Sequence, residues 1–190
     1  MMESILTEIH DCRVCAASLP HGCRPIVQAS SESQILIIGQ APGRRVFETG
    51  IPWNDPSGDA LRRWLGVEKS QFYDPKIFAL MPMGFCYPGA GKSGDLPPRP
   101  ECAPLWHDSL LANMPNLRLT LLIGQYAQNH YLRNATGKNL TETVQNWQTY
   151  LPQYLVLPHP SPRNRIWMSK NTWFALDVLP ALRALVLEIV

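Results

Sequence analysis

Four apolar runs of strand length, separated by segments with helical spacing, constrain the fold of this chain most strongly. The runs are QILIIG (34–39), KIFALMPM (76–83), LRLTLLIG (117–124) and QYLVLP (153–158). Runs that are apolar on both faces are typical of strands buried in a parallel sheet. We therefore predict an α/β fold, a three-layer α/β/α sandwich around a four-stranded parallel sheet, formed by one domain over residues 1–190.

The segments between these runs carry helical patterns. Helices are expected at 2–11, 100–114, 124–133 and from 169 to the end of the chain, with Pro180 as a kink or break. A further helix, in SGDALRRWLGV (57–67), is expected to have Ser57 as its N-cap and to end at Gly66.

Ligand sites of parallel sheets lie beyond the carboxyl ends of the strands. This rule places four connections on one rim of the molecule, where its polar and special residues are concentrated. They are GQAPGRRVFETGIPW (39–53), PMGFCYPGAGKSGDLPPRP (82–100), GQYAQ (124–128) and PHPSPRNR (158–165).

Composition narrows the class of protein. Apolar residues make up 45% and charged residues 17%, as in compact globular proteins. The net charge of +2 gives no argument for nucleic-acid binding, so a DNA footprint would need local clusters of Arg and Lys. No apolar run has the length of a signal peptide or a membrane span, and we expect a cytoplasmic protein whose five cysteines are ligands or free thiols.

The cysteines form two pairs. Cys12 and Cys15 make a C-x2-C pattern, and Cys86 and Cys102 make C-x15-C in the long second connection. Together they can close a four-thiolate site for zinc or for an iron–sulfur cluster, and thiolate chemistry alone does not choose between these. The alternative is scattered free cysteines, because a lone C-x2-C is common. Cys23 is left over and is expected to be a free thiol.

The first rim motif is GQAPG, residues 39–43. It supplies backbone N–H groups at the end of a strand, and the Gln40 amide can both donate and accept hydrogen bonds. The motif matches neither the GxxxxGK[ST] phosphate loop nor the GxGxxG dinucleotide pattern. A base pocket or an oxyanion cradle therefore fits better than a nucleoside triphosphate site.

The second rim motif is LPHPSPRNRIW, residues 157–167. Prolines flank His159, whose imidazole can donate a hydrogen bond to an oxygen that gains charge, although histidines in such turns are more often structural. Arg163 and Arg165 suit phosphate contacts, and Ile166 with Trp167 suits insertion into a base stack. The alternative is a solvated basic loop.

Taken together, these residues resemble the uracil-DNA glycosylase superfamily, most closely its iron–sulfur (family 4) type. Those enzymes carry a GEAPG motif followed by GxPF, which GQAPGRRVFETGIPW matches with Trp53 at its end, and a second motif that opens with HPS, here His159 to Ser161. Their cluster cysteines are arranged like the two pairs described above. The resemblance implies a DNA glycosylase of base excision repair, a monomer that acts on DNA, with a [4Fe-4S] cluster rather than zinc on Cys12, Cys15, Cys86 and Cys102.

The chain departs from that family in its base-reading region. Gln40 stands where family 4 has an acidic residue, and the acidic stretch after the first motif is reduced to Glu48. The asparagine that reads the base, a few residues before the third cysteine, is replaced by Met81, Pro82 and Met83. The identity of the excised base is therefore left open.

The resemblance implies a role for each matching residue. His159 would donate to the departing base, Gln40 would help to position the base and the water, and Asp55 and Glu48 are secondary candidates for activating that water. Trp53 would stack on the base; the alternative is that it only packs in the core. For Asp55 the alternative to a catalytic role is that it only forms a turn. The base pocket would be lined by Gly39, Gln40, Ala41, Pro42, Gly43, Trp53 and Met83, and DNA would contact Ser161, Arg163, Asn164, Arg165 and either Ile166 or Trp167.

Two other functions remain compatible with these residues. One is a non-catalytic module of the same fold that binds damaged or single-stranded DNA, which the missing acidic residues and asparagine would explain. The other is a glycosylase for another deaminated base such as hypoxanthine, or for uracil only in mismatches.

Overall fold

The computed structural model describes all 190 residues and confirms the three-layer α/β/α fold. The strands of the main sheet are β1 (Ile35–Ile38), β2 (Phe78–Leu80), β5 (Leu119–Ile123) and β6 (Tyr154–Leu157). They are all parallel and lie in the order β2-β1-β5-β6, each inside one of the predicted runs. Two short strands, β3 (Ala90–Gly91) and β4 (Gly94–Asp95), form a separate antiparallel hairpin in the second connection.

Nine α-helices surround the sheet. They are α1 (Met2–His10), α2 (Arg44–Thr49), α3 (Pro56–Leu65), α4 (Lys69–Phe72), α5 (Asp108–Ala112), α6 (Gln125–Leu132), α7 (Leu140–Gln145), α8 (Arg165–Lys170) and α9 (Leu179–Leu187). Wide, π-type turns at Ala103–His107 and Phe174–Val178 lead into α5 and α9. None of the helices combines the length and the apolar character that a membrane span requires.

Alternate residues of each strand face two different cores. In β1, Ile35 and Ile37 pack with residues of α3 and α9, whereas Leu36 and Ile38 pack with residues of α1, α5 and α6. All four of these side chains are completely buried. Burial on both faces explains why the strands are continuously apolar in sequence.

The start of α3 differs from the prediction. The N-cap is Asp55, whose Oδ1 accepts a hydrogen bond from the Gly58 N–H at 2.8 Å, and Ser57 lies inside the helix. Asp is among the best N-cap residues, and Pro56 fits the first helical position because its missing N–H is not needed there. The end of α3 at Gly66, in the left-handed region with φ 71°, is as predicted.

The rim connections contain more helix than predicted. The first includes α2, which lies between Gly43 and Gly50, and the fourth runs through a 3-10 turn at Pro162–Asn164 into α8. In the C-terminal segment, regular helix begins at Leu179, so that Pro180 lies in the first turn of α9. Proline is tolerated in the first turn of a helix, so the break predicted at Pro180 corresponds to the start of α9.

Candidate functional site

A pocket opens at the carboxyl edge of the sheet and brings three of the rim connections together. Its lining includes Gly39–Gly43, Trp53, Asp55, Pro82 and His159. Hydrogen bonding continues beyond the ends of β1 and β2: the N–H of Met83 donates to the carbonyl of Gly39 at 2.9 Å, and the N–H of Gly84 donates to that of Gln40 at 3.0 Å. The first and second connections are thereby held side by side beneath the pocket.

Trp53 is fixed in the pocket by its neighbours. Its φ of 57° is in the left-handed region, an uncommon conformation for a bulky residue. Its indole lies against Gly39, where an added Cβ would come within 2.8 Å of Cζ2. Its carbonyl oxygen packs against Gly58, where an added Cβ would come within 1.7 Å. Two glycines therefore make room for this conformation.

Arg62 of α3 supports the same segment and was missed by sequence reasoning. Its buried guanidinium donates to the carbonyl of Trp53 at 3.3 Å, to the hydroxyl of Tyr73 at 3.3 Å and to Asp59 at 2.6 Å. Tyr73 in turn donates to the carbonyl of Pro52 at 2.9 Å. No motif marks this arginine; only the Asp59–Arg62 spacing on a helix gives a weak signal.

His159 stacks on Trp53, with ring centroids 5.7 Å apart and an interplanar angle of 27°. Its carbonyl accepts a hydrogen bond from the Asn164 side chain at 2.6 Å, whereas neither ring nitrogen has a protein partner. Burial lowers the pKa of His159, and the nearby Asp55 opposes this only in part. The imidazole is therefore neutral near pH 7, with one N–H to donate and one lone pair to accept.

Gln40 brings a free amide to the same place. The residue lines both the pocket and an open cleft that continues from it. Its side-chain atoms have no protein partner and are not sealed from solvent. A free amide, a free neutral imidazole and an indole thus meet at one pocket, an arrangement that can hold a flat polar ring.

A comparison with protein families identifies a match over most of the chain. The family model described as the uracil DNA glycosylase superfamily matches residues 27–183, which include both rim motifs. The chain belongs to the uracil-DNA glycosylase superfamily. Members of this superfamily are DNA glycosylases, hydrolases of DNA repair, so the family resemblance seen in the sequence is confirmed at this level. Cys12, Cys15 and Cys23 lie before the matched residues.

The two carboxylates expected in the glycosylase site have different surroundings. Asp55 lines the pocket, but its Oδ1 is engaged as the N-cap of α3. Glu48 does not line the pocket; its carboxylate accepts a hydrogen bond from Arg44 Nε at 3.0 Å on the exposed side of α2. Of these two carboxylate residues, only Asp55 therefore lines the pocket.

Met83 does not line the base pocket as expected. Its side chain is buried in the core on the α1 side of the sheet, and Pro82 lines the pocket instead. Successive side chains of an extended segment point in opposite directions, so Pro82 faces the pocket and Met83 faces the core.

The second rim motif is tied to its surroundings by side chains expected to contact DNA. Arg163 donates to the carbonyl of Ser93 in the β3–β4 hairpin at 2.9 Å, and Ser161 accepts from the N–H of Arg163 at 3.2 Å. Asn164 holds the backbone of His159, as described above. These three residues therefore shape the motif in the free protein.

The two candidates for insertion into DNA differ in exposure. Ile166 is 69% exposed. Trp167 packs against the core on the α9 side and donates from Nε1 to Thr141 at 2.8 Å, so it is not available as a wedge. Arg165 is exposed beside Ile166 and lines a neighbouring groove.

All five cysteines line one narrow cavity, with Phe85 and Trp106 among its other walls. The four predicted ligands are therefore brought together, and Cys23 joins them. Burial raises the pKa of Cys86 to about 12 and that of Cys102 to about 11, so both are protonated thiols when nothing is bound. No set of three or more His, Cys, Asp or Glu side chains is arranged to hold a single metal ion.

Proposed function

We propose that this protein is a DNA N-glycosylase that extrudes a deaminated base, with uracil as the first candidate, and hydrolyses its bond to deoxyribose. The observation that carries the proposal is the unpartnered, neutral His159, which stacks on Trp53 beside the free amide of Gln40. Membership of the superfamily supports the general reaction.

Extrusion of a base costs a few kcal/mol, which contacts outside the pocket must offset. The exposed Ile166 would enter the gap in the base stack, and the neighbouring Arg165 would hold a flanking phosphate. Trp53 would supply an aromatic surface for the extruded base. Arg163, in the second rim motif beside the hairpin, would contact a further phosphate.

Gln40 would read the extruded base. Uracil and hypoxanthine both present an N–H beside a carbonyl oxygen, and a carboxamide offers the complementary acceptor and donor. The amide of Gln40 would thus take the place of the absent asparagine. Since both bases share this edge, the size of the pocket and the contact with Pro82 would decide between them.

His159 would act on the departing base. When the glycosidic bond breaks, its electron pair leaves with the base and negative charge develops on the base carbonyl. The neutral imidazole would donate its N–H to that oxygen, which stabilises the charge as it forms. Water would then add to C1′ of the sugar, and the oxygen of Asp55 that does not cap α3 would orient this water.

We further propose that the protein is of the iron–sulfur type, with Cys12, Cys15, Cys86 and Cys102 as ligands of a [4Fe-4S] cluster. Thiolates are the usual ligands of such clusters, and these four line one cavity. The resemblance of the two cysteine pairs to those of the iron–sulfur type favours such a cluster over zinc. The ligands would fasten the N-terminal segment to the second connection, in a protein that we expect to work in the cytoplasm.

Release of free base from synthetic DNA tests the function. The substrates carry a single uracil, hypoxanthine, xanthine or mismatched thymine, in single-stranded and double-stranded form, and binding is measured on the same oligonucleotides. Release of one base would establish the activity and identify its substrate. Binding without release from any of them would contradict the proposal and favour a non-catalytic DNA-binding module.

A further inference from the structure

Asp95, at the end of the β3–β4 hairpin, brings a second carboxylate to the site, beside Asp55. The open cleft that continues from the base pocket is lined by Gln40, Gly43 and His159 on the pocket side and by Asp95 on the hairpin side. If the base occupies the pocket, its deoxyribose lies where pocket and cleft meet. Asp95 therefore belongs to the part of the site that faces the sugar.

The carboxylate of Asp95 is held against the first rim motif. A Cβ added at Gly43 would come within 3.3 Å of Asp95 Oδ2, so only glycine leaves ordinary room for this approach. The hairpin is held in turn by Arg163, through its hydrogen bond to the Ser93 carbonyl. The position of Asp95 is thus set by contacts with both rim motifs.

The carboxylate of Asp95 keeps acceptor capacity, because the Tyr87 hydroxyl is the one protein group that hydrogen-bonds to it. The carboxylate accepts no backbone hydrogen bond, in contrast to Asp55, which caps α3, and it forms no salt bridge, in contrast to Glu48, which is paired with Arg44. Partial burial raises the pKa of Asp95 and Asp55 raises it further, while Arg163 and the hydroxyl of Tyr87 act in the opposite direction. A more basic carboxylate accepts a proton from water more readily.

We propose that Asp95 is a further catalytic residue, which holds the attacking water at the sugar side of the cleft and accepts its proton. This role rests on the proposed glycosylase function. The water oxygen forms its bond to C1′ as one of its protons passes to the Asp95 carboxylate. The bond from C1′ to the base nitrogen breaks, its electron pair leaves with the base, and the base then takes up a proton from solvent.

Single-turnover release of the base by Asp95→Asn tests this role. Asn keeps the size of the side chain and hence the contact with Gly43, but it cannot accept the proton. We expect a rate at least tenfold below that of the wild-type protein, with binding of an uncleavable substrate analogue changed less than threefold. The matched control is Asp177→Asn, an exposed carboxylate on the turn before α9, which should keep the wild-type rate.

A second variant distinguishes the loss of a catalytic carboxylate from a structural change in the β3–β4 hairpin. Asp95→Ala opens a gap that added formate can enter, and formate should restore part of the rate if a carboxylate is needed. Wild-type rates for Asp95→Asn, or a slow Asp95→Ala that formate leaves unchanged, would overturn the role of Asp95 while the glycosylase function stands. A wild-type protein that releases no base would overturn both.

Discussion

The indole of Trp53 and the imidazole of His159 are stacked 5.7 Å apart, although the first follows the GQAPG motif and the second belongs to the last rim connection. Because His159 has no hydrogen bond to its ring, this contact and the backbone between two prolines determine where the ring lies. Any change that displaces Trp53 should therefore also displace His159, the residue proposed to stabilise the leaving base.

Gly39→Ala should lower base release through Trp53. The new Cβ would come within 2.8 Å of indole Cζ2, so the ring must shift, whereas the backbone of Gly39 does not have the positive φ that would itself disfavour alanine. We expect at least a tenfold loss of single-turnover rate, measured on the substrate identified by the oligonucleotide panel.

Trp53→Phe provides the control for this prediction. Phenylalanine lacks the Cζ2 and Cη2 atoms closest to position 39, so the double variant should recover part of the activity lost by Gly39→Ala. Equal losses in the single and double variants would mean that alanine acts through the backbone of the motif and not through the indole.

The sequence predicted the parts of the site that are local in the chain. The four strands follow from continuous apolar runs, and the parallel arrangement then places Gln40 and His159 at one edge of the sheet. Both residues lie in short motifs directly after strands, where sequence position fixes spatial position.

Residues that depend on packing between distant segments could not be predicted. Arg62 reaches Trp53 only because α3 folds back under the pocket, and Asp95 reaches Gly43 only through the hairpin. The short helix α2 was also missed, because six residues carry too little periodicity and owe their helical form to tertiary contacts. Whether Pro82 or Met83 faces the pocket depends on which side of the extended segment each side chain points to, and this cannot be read from the sequence.

His159→Ala should abolish most of the base release and leave DNA binding largely intact. Loss of one donor to a developing oxyanion typically costs about 100-fold to 1,000-fold in rate. His10→Gln, on the exposed end of α1, is a control that should change neither quantity. Full activity of His159→Ala in a single-turnover assay would show that the leaving base is stabilised by another group.

Serine substitutions of the cysteines should distinguish the four proposed cluster ligands from Cys23, which is expected to be a free thiol. Changing Cys12, Cys15, Cys86 or Cys102 should each lower the iron and sulfide content of protein purified without oxygen, because a cluster needs all four thiolates. Cys23→Ser is the matched control, since Cys23 lines the same cavity but falls outside the two pairs. Loss of iron in Cys23→Ser, with iron kept in one of the other variants, would move the ligand assignment to Cys23.

Below the pocket, His107 links the pocket wall to the core. Its Nε2 lies 3.1 Å from the carbonyl oxygen of Pro82, and its Nδ1 lies 2.7 Å from the hydroxyl of Tyr131. A neutral imidazole satisfies both contacts when Nε2–H donates to Pro82 and Nδ1 accepts from Tyr131. Burial lowers the pKa of His107 to about 4 from its ordinary value of 6.5.

This buried histidine should make the protein sensitive to acid. As pH falls below about 6.5, His107 becomes protonated in the unfolded chain, but in the folded protein it stays neutral until about pH 4. The contribution of His107 to the free energy of unfolding is therefore complete above about pH 6.5 and is lost between about pH 6.5 and pH 4. The loss amounts to roughly 3 kcal/mol in the free energy of unfolding at pH 4. Urea unfolding at pH 7.5, 6 and 5 should show the decline.

His107→Gln, whose amide can keep both hydrogen bonds, should be less stable at pH 7.5 but show a smaller decline. An equally steep decline in that variant would assign the acid sensitivity to other groups, with His159→Gln as the next variant to measure because the pKa of His159 is also lowered.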